Sequence, residues 1–307
     1  MDFQIIGVPL ELGCGTVGTA GACGVLGPRI SGLPLFSAGG NTCRYTAVTV
    51  APSPRRRGTD GVYNLADVAG VCRELARTVS AALEKKRFPL VIGGDHSVGL
   101  GSIAGAAGHY SPQELAVVWV DAHTDINTEK TTPSGNVHGM PLAAALGLCG
   151  AELSAVGPPG AKLRPENLFI LCSRSIDPPE REIIAAQGVR VIEMPELRRR
   201  GTGAALAEIC RSMAGKAVHL SFDTDVLDPD CFTATGLNVP DGIFPAEAAR
   251  ILCELIRGCR VVSMDCVEYN PSMDPQKKDL RTLLSILEPA LETVAAVRRE
   301  APGNRSD

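Results

Sequence analysis

The chain has few aromatic residues and no apolar run long enough to cross a membrane. Phe, Trp and Tyr make up 4% of the 307 residues, and no apolar segment approaches the roughly 18 residues that a transmembrane helix needs. The formal net charge is −4, and no basic stripe with interleaved aromatic residues is present. We therefore expect neither a nucleic acid nor a membrane as a partner. The short runs at residues 55–57 and 198–200 are interpreted as solvated loop charges.

Cysteine pairs in the C-x-x-C arrangement are also missing. The 11 cysteines are an odd number and are scattered through apolar segments, which indicates reduced, mostly buried thiols rather than a disulfide framework. The first residues show no charged segment followed by an apolar one, as a secretory signal would. We expect a cytoplasmic protein.

Short apolar segments rich in β-branched residues alternate with helical patterns along the chain. The expected strands are Gln4–Val8, Phe88–Ile92, Ala116–Val120, Leu168–Cys172, Val189–Ile192, Ala217–Phe222 and Val261–Met264. The expected helices are Ala66–Lys86, Pro179–Gln187, Ala204–Ala214, Pro245–Arg257 and Lys278–Arg299. This alternation predicts βαβ units and a parallel sheet covered on both faces.

The domain organisation follows from the same pattern. The stretch from Gly13 to Gly27 is glycine-rich and is expected to be a loop. We find no linker that divides the chain, so residues 1–307 are expected to form a single domain with a short polar tail from about residue 300.

Metal-ligand side chains follow four of the expected strands. They are His96, Asp121, His123, Asp125, Asp223, Asp225 and Glu268. If the extended backbone continues past Val120, then Asp121, His123 and Asp125 share one face. Each carboxylate alone is explained by a turn or a cap. Because the carboxyl ends of parallel strands meet at one edge, the set together predicts a metal site.

The ligand types indicate which metal. Structural zinc prefers Cys and His, whereas a carboxylate-rich set with some imidazole suits Mn²⁺ or Mg²⁺ and favours Mn²⁺. Six ligands suit two ions that share bridging carboxylates and lower the pKa of a bridging water. The predicted chemistry is therefore hydrolysis.

Taken together, these motifs resemble those of the arginase/ureohydrolase family. The matching residues are Gly93-Gly94-Asp95-His96-Ser97, Asp121-Ala-His-Thr-Asp125, Ser221-Phe-Asp-Thr-Asp225 and Glu268. The resemblance implies an α/β fold with three layers (α/β/α), a central eight-stranded parallel sheet and two manganese ions per subunit. It also implies a homo-oligomer, a trimer or a hexamer.

The resemblance also implies roles for the residues. One manganese would be bound by His96, Asp121, Asp125 and Asp223, and the other by Asp121, His123, Asp223 and Asp225. Catalysis would use Asp125 to orient a metal-bridging hydroxide, Glu268 to hold the guanidinium group and His138 to transfer protons. The reaction implied is hydrolysis of L-arginine to L-ornithine and urea.

Residues beyond the metal motif indicate an amino acid substrate by the same resemblance. Neutral donors for the α-carboxylate would be Asn127, Thr132, Ser134 and Asn136, and carboxylates for the α-amino group would be Asp177 and Glu180. Ser175, Leu237 and Asp241 depart from the family pattern. The alternatives are therefore another ureohydrolase (agmatinase, guanidinobutyrase or formimidoylglutamase), or a non-catalytic protein that binds a guanidino ligand. A zinc deacetylase is disfavoured by the doubled ligand set.

Overall fold

Eight parallel strands form one central sheet in the computed structural model, which describes residues 1–37 and 40–300. The strands are β1 Asp2–Gly7, β2 Thr42–Ala47, β3 Phe88–Ile92, β4 Leu115–Val120, β5 Leu168–Ser173, β6 Arg190–Glu193, β7 Ala217–Asp223 and β8 Arg260–Val267. Their order in the sheet is β2-β1-β3-β8-β7-β4-β5-β6. The expected α/β class with an eight-stranded parallel sheet is confirmed. The polar tail after residue 300 lies outside the described residues.

Helices cover both faces of the sheet. They are α1 Ala22–Ser31, α2 Pro34–Ser37, α3 Leu65–Glu84, α4 Val98–Ala106, α5 Pro141–Ala145, α6 Ala151–Ser154, α7 Pro178–Gln187, α8 Met194–Arg200, α9 Thr202–Ser212, α10 Pro245–Gly258 and α11 Lys278–Glu300. Alternate side chains of β4 enter two separate cores, Val118 with the residues of α8 to α11 and Val117 with those of α3 to α6. This alternation produces the three layers.

The strand β2 was not predicted. It lies at the edge of the sheet beside β1, and its side chains are mostly exposed. Since a solvent-exposed edge strand needs no apolar run, the sequence Thr42–Ala47 lacked the signal that identified the other seven strands.

Six helices were also missed. Four of them, α2, α5, α6 and α8, are short, and α8 contains the run at residues 198–200 that was expected in a loop. The other two, α1 and α4, contain several glycines. The expectation of a loop over the whole of residues 13–27 is wrong, since α1 begins at Ala22 and buries one apolar face. Helix α4 is buried at all nine positions, so it has no polar face and no amphipathic period. Its glycines allow close contact with α3: a Cβ at Gly101 would lie 2.9 Å from the carbonyl oxygen of Cys72, and one at Gly105 would lie 2.8 Å from that of Ala76.

The cysteines and the membrane prediction can both be compared with the structure. All 11 cysteines are free thiols and most are buried, as expected. Among residues 1–37 and 40–300, no helix is both long and apolar enough to cross a membrane.

Four adjacent strands in the centre of the sheet, β3, β8, β7 and β4, bring the predicted ligands together. Because all four run in the same direction, their carboxyl ends meet at one edge, and the chain following each end carries its polar side chains to the same place.

Candidate metal centre and substrate cavity

His96 is fixed by a tight turn after β3. A Cβ on Gly94 would lie only 1.7 Å from the carbonyl oxygen of Leu10, so the turn requires glycine there. The backbone N–H of His96 donates to Oε1 of Glu268 at 2.8 Å. Its imidazole stacks on Trp119, with the ring centroids 3.9 Å apart, and the residue is 1% exposed. The imidazole is therefore held in place by packing.

The segment after β4 bends instead of remaining extended. The strand ends at Val120, and Asp125 has φ of 45°, so the expectation that Asp121, His123 and Asp125 share one face of an extended strand is wrong. The bends nevertheless bring the three side chains to one site. The turn is stabilised by the N–H of His123, which donates to Oδ1 of Asp121 at 2.6 Å.

The other two aspartates are positioned by β7. Asp223 is the last residue of the strand, and its Oδ1 accepts a hydrogen bond from the N–H of Asp225 at 2.8 Å. Oδ1 of Asp225 accepts one from the N–H of Ala122 at 3.2 Å. This bond joins the loop after β7 to the loop after β4, and so connects the two halves of the site.

A first group of candidate ligands surrounds His96. Its Nδ1 lies 2.8 Å from Oδ2 of Asp223, 3.0 Å from Oδ2 of Asp121 and 3.1 Å from Oδ2 of Asp125. This nitrogen is buried and has no hydrogen-bond partner among the described residues. A buried nitrogen that faces three carboxylate oxygens without a hydrogen bond is satisfied when a cation lies between them.

A second group surrounds His123. Its Nδ1 lies 2.8 Å from Oδ2 of Asp225 and 3.6 Å from Oδ1 of Asp121. Asp121 belongs to both groups, so its two oxygens face different neighbours. All six predicted metal ligands are therefore brought together, in two adjacent groups with one shared aspartate.

The charge balance of the site also fits a cation. Burial raises the pKa of Asp223 well above its usual value, and the neighbouring carboxylates raise it further. Burial and the Asp121 carboxylate raise the pKa of Asp125 to about 7. Burial opposes ionisation of Asp121 as well, but the neighbouring side chains of His123 and His96 outweigh it and lower its pKa. Keeping all these carboxylates ionised requires positive charge, which a divalent cation supplies.

A series of buried hydrogen bonds begins at Nε2 of His96, the ring nitrogen that does not face the carboxylates. Its Nε2 lies 2.8 Å from Oγ of Ser221, and that hydroxyl donates to Oδ1 of Asp265. Oδ2 of Asp265 lies 3.0 Å from Nε2 of His219, and Nδ1 of His219 lies 2.9 Å from Oγ of Ser263. All of these side chains are buried. The arrangement directs the N–H of His96 towards Ser221 and leaves Nδ1 free for a metal.

No role was predicted for the residues that form these hydrogen bonds, although the sequence contains a signal for them. His219 pairs with Ser263 and Ser221 pairs with Asp265 across β7 and β8. Polar residues at alternating positions of two fully buried strands require partners for one another. That pattern could have identified the supporting residues.

The ligand groups open into a cavity of about 280 Å³. Its lining residues include Asn127, Thr132, Ser134, His138, Ser175, Asp177, Glu180, Leu237 and Glu268, together with His123, Asp125, Asp223 and Asp225. The lining contains six carboxylates and no lysine or arginine. A cationic group is therefore the ligand that this part of the cavity favours.

Glu268 and His138 form a pair inside the cavity. Nδ1 of His138 lies 3.1 Å from Oε1 of Glu268. Burial lowers the pKa of His138, but the Glu268 carboxylate outweighs it and raises the pKa to about 9. Glu268 has φ of 64°, and backbone strain of this kind in a non-glycine residue concentrates at functional sites.

Two hydroxyl groups are among the groups that line the cavity. The hydroxyl oxygen of Thr132 accepts the N–H of Gly135 at 3.0 Å, and that of Ser134 accepts the N–H of Asn136 at 3.1 Å. The two hydroxyl oxygens also lie 3.4 Å apart, so one hydroxyl donates to the other and the second O–H remains able to donate to a ligand. Asn136 does not line the cavity; its Oδ1 accepts a hydrogen bond from Nη2 of Arg55 at 2.6 Å. Arg55 is exposed, as expected for a solvated charge. Its hydrogen bond to Asn136 was not predicted.

Two carboxylates outside the metal groups, those of Asp177 and Glu180, also line the cavity. Oδ2 of Asp177 accepts a hydrogen bond from the side chain of Asn127 at 2.9 Å. Both oxygens of Glu180 are already used, because they accept the N–H groups of Ile126 at 3.0 Å and Asp177 at 2.9 Å. Glu180 therefore joins the start of α7 to the metal loop and places Asp177.

The three departures from the family pattern lie in different places. Ser175 and Leu237 line the cavity, and Leu237 is 48% exposed. Asp241 is not among the lining residues. Its φ is 65°, in the left-handed region that glycine adopts without strain, which is the physical reason that glycine suits this position.

An α/β fold whose central strands bring two histidines and four aspartates together beside an acidic cavity fits an enzyme of the hydrolase class. The family model described as the arginase family matches residues 1–291. Arginase from Bacillus subtilis is 35% identical over 294 residues, which cover 94% of this chain and 97% of the relative. The chain belongs to the arginase family and is an amidinohydrolase, an enzyme that acts on the guanidino group.

Solved structures show the same similarity. The native structure of arginase from Bacillus caldovelox superposes with a TM-score of 0.88 at 32% identity, covering 94% of this chain and 97% of that one. An arginase from Entamoeba histolytica, in complex with L-ornithine, gives a TM-score of 0.87 at 30% identity, covering 94% and 98%.

Proposed function

We propose that the protein hydrolyses the guanidinium group of L-arginine and releases L-ornithine and urea. The observation that carries this proposal is the set of groups that meet at one cavity. Metal-ligand groups and Glu268, the hydroxyls of Thr132 and Ser134, and the Asp177 carboxylate all lie there. An amino acid with a cationic side chain has a group to match each of these.

We propose that two Mn²⁺ ions occupy the two groups. One would be held by His96, Asp121, Asp125 and Asp223. The other would be held by His123, Asp225 and the shared Asp121, and we propose that Asp223 is a further ligand of this second ion. Support comes from the buried Nδ1 of His96, which has no hydrogen-bond partner among the described residues, and from the carboxylate-rich donor set, which suits Mn²⁺. When bound, such a pair supplies hydroxide near neutral pH by lowering the pKa of water.

Glu268 binds the guanidinium in this proposal. A carboxylate matches the planar fork of guanidinium donors, and the backbone N–H of His96 already holds Oε1 at 2.8 Å. The same N–H ties Glu268 to a metal ligand, so the electrophilic carbon is presented beside the metal groups. Asp125 orients the attacking oxygen, since its Oδ2 lies 3.1 Å from Nδ1 of His96 and its side chain reaches the cavity.

His138 transfers the proton in this proposal. Its Nδ1 lies 3.1 Å from Glu268, and that carboxylate holds the imidazole in its charged form by raising its pKa to about 9. A protonated imidazole beside the guanidinium site can donate to the leaving amine.

The amino acid portion is recognised by the rest of the cavity. The hydroxyl groups of Thr132 and Ser134 bind the α-carboxylate, and Asn127 contributes from the same loop. Asn136 accepts a hydrogen bond from Arg55 and contributes to carboxylate recognition from a position that does not line the cavity. Asp177 accepts the α-amino group, and Glu180 is the second carboxylate on that side.

Substrate comparison tests the proposal. The purified protein, reconstituted with Mn²⁺, is assayed for urea release from L-arginine, agmatine and 4-guanidinobutyrate. Because agmatine lacks the α-carboxylate, we expect kcat/KM for arginine to exceed that for agmatine by about a hundredfold or more. A preference for agmatine or guanidinobutyrate would assign another ureohydrolase activity, and thermal shifts with arginine but no urea release would indicate a binding protein.

A single domain, a cytoplasmic location and a trimeric or hexameric assembly belong to the same proposal. The assembly is tested by light scattering on the purified full-length chain, in which a monomeric mass would contradict it.

A further inference from the structure

Two cysteines from distant parts of the sequence meet at the opposite end of β8 from the candidate active site. Cys210 lies in α9, and Cys259 stands between α10 and β8. The Cys259 thiol donates to Sγ of Cys210 with the sulfur atoms 3.6 Å apart. Neither thiol has a place in the proposed reaction.

Gly258 makes this contact possible. A Cβ added there would lie 2.4 Å from Sγ of Cys210 and 3.2 Å from its Cβ. Any larger residue would push the Cys210 side chain away. The Cys210 side chain therefore packs directly on the backbone next to Cys259.

The two thiols differ in exposure. Cys210 is half-buried, so a small oxidant can reach it directly. Cys259 is buried, at 8% exposed, and lines a cavity of about 580 Å³ that Cys210 does not line.

We propose that Cys210 and Cys259 are a site of reversible oxidation, at which a hydroperoxide converts the two thiols to an intrachain disulfide. The Cys210 sulfur attacks a peroxide oxygen, the O–O bond breaks, and a sulfenic acid and hydroxide form. Cys259 then attacks the sulfenic sulfur, the S–O bond breaks and water leaves. Two thiols lose two electrons and two protons, and hydrogen peroxide becomes two waters.

The order of these steps follows from the environment of the two sulfurs. The hydrogen bond from Cys259 lowers the pKa of Cys210 to about 7, whereas the same contact and burial raise the pKa of Cys259. Cys210 is thus the thiol that ionises first and attacks. A half-buried comparison is Cys43, whose pKa is raised by burial and whose thiol donates a hydrogen bond to Oγ of Ser31 at 3.8 Å.

The disulfide should leave catalysis intact and stabilise the fold. Strand β8 has eight residues and separates Cys259 from Glu268 by roughly 30 Å at 3.3 Å per residue. The bond closes a loop between residues 210 and 259 and restricts the unfolded chain. We expect the midpoint of thermal unfolding to rise by about 5 °C.

The experiment treats the reduced, manganese-loaded protein with a small excess of hydrogen peroxide, then alkylates and maps the peptides. We expect a mass loss of about 2 Da, consistent with one disulfide, a linked peptide pair containing Cys210 and Cys259, and reversal by dithiothreitol. The loss of free Cys210 should be at least about tenfold faster than that of Cys43. Cys210→Ser and Cys259→Ser should abolish the linked pair, and the control Cys43→Ser should retain it.

Three results would overturn the proposal: sulfinic or sulfonic acid on Cys210 while Cys259 stays open to alkylation, a link between either thiol and another cysteine, or no loss of either thiol. The peptide map of the unsubstituted protein decides among these even where a serine variant fails to fold.

Discussion

The two halves of the candidate metal centre differ in burial and in support. His96 is 1% exposed, stacks on Trp119 and is held through Ser221. His123 is 21% exposed at its side chain, lines the cavity and contacts Asp225 from a bend of the chain. The same ligand types are thus placed in one closed and one open setting.

This difference separates two requirements of a hydrolytic site. The closed half, built on β3, β7 and β8, fixes ligand positions before any substrate arrives, as supporting hydrogen bonds do for metal ligands. The open half faces the space in which a substrate can bind. We infer that the His96 half determines whether metal is retained and that the His123 half responds to what enters the cavity.

Removing the carboxylate that the halves share should have the largest effect. In Asp121→Asn both groups lose a charged ligand, so we expect less than one Mn²⁺ per chain and a loss of kcat of at least about a thousandfold. Metal analysis and urea assays measure both. The control Asp241→Asn lies outside the cavity lining and should behave as the unsubstituted protein. Two ions per chain in Asp121→Asn would refute the shared role.

Replacing each histidine in turn should affect the two halves of the metal centre differently. His96→Asn removes the ligand of the closed half, and we expect a fall in kcat of about a hundredfold or more together with loss of most metal. His123→Asn should retain about one Mn²⁺ per chain, and its kcat should fall about tenfold. Manganese titration of the two variants distinguishes them, and equal metal loss in both would remove the distinction between the halves.

The support behind His96 should have an intermediate effect. Ser221→Ala interrupts the hydrogen bonds that lead to Asp265 and should weaken Mn²⁺ binding about 10- to 100-fold, with activity restored by excess Mn²⁺. The control Ser263→Ala, at the far end of the chain of hydrogen bonds, should change affinity by less than about threefold. An unchanged affinity in Ser221→Ala would mean that packing alone holds His96.

On the open side, a substrate contact can be removed without touching a ligand. Asp177→Ala deletes a carboxylate that lines the cavity, and we expect KM for L-arginine to rise about tenfold while metal content stays at the unsubstituted level. Steady-state kinetics with parallel metal analysis test this. If the metal is lost instead, Asp177 supports the centre rather than the substrate.

The smallest effect is a pH dependence that comes from the open side. Glu268 raises the pKa of His138 to about 9, so the charged imidazole and its ion pair are present below this pH and are lost as the pH rises through it. We expect kcat/KM to fall about fivefold between pH 9 and 10. His138→Asn should be slower throughout and lack this decline. A decline of the same size in His138→Asn would mean that the titration of another group causes the pH dependence.

Much of the fold was predictable because burial leaves a pattern in the sequence. Seven strands were identified from apolar β-branched segments, and the parallel arrangement followed from their alternation with helices. The exceptions have physical causes: β2 is exposed, and α4 is buried on every side. Neither therefore shows the contrast between apolar and polar residues on which such predictions depend.

The site was predicted in its residues but not in its geometry. The ligand types and their positions after the strands were sufficient to group His96 with Asp121 and Asp223. The bend at Asp125 and the positive φ of Glu268 depend on contacts between distant parts of the chain, which the local sequence does not encode. The same holds for the hydrogen bond between Arg55 and Asn136.

The most direct test of the central claim is the number of metal ions in the active protein. Metal-free protein is reconstituted with Mn²⁺, freed of excess and analysed for bound metal alongside urea release from L-arginine. Two ions per chain, with activity that rises as the second ion binds, is the predicted result. Full activity with one ion or none would contradict a centre built from His96, His123 and the four aspartates.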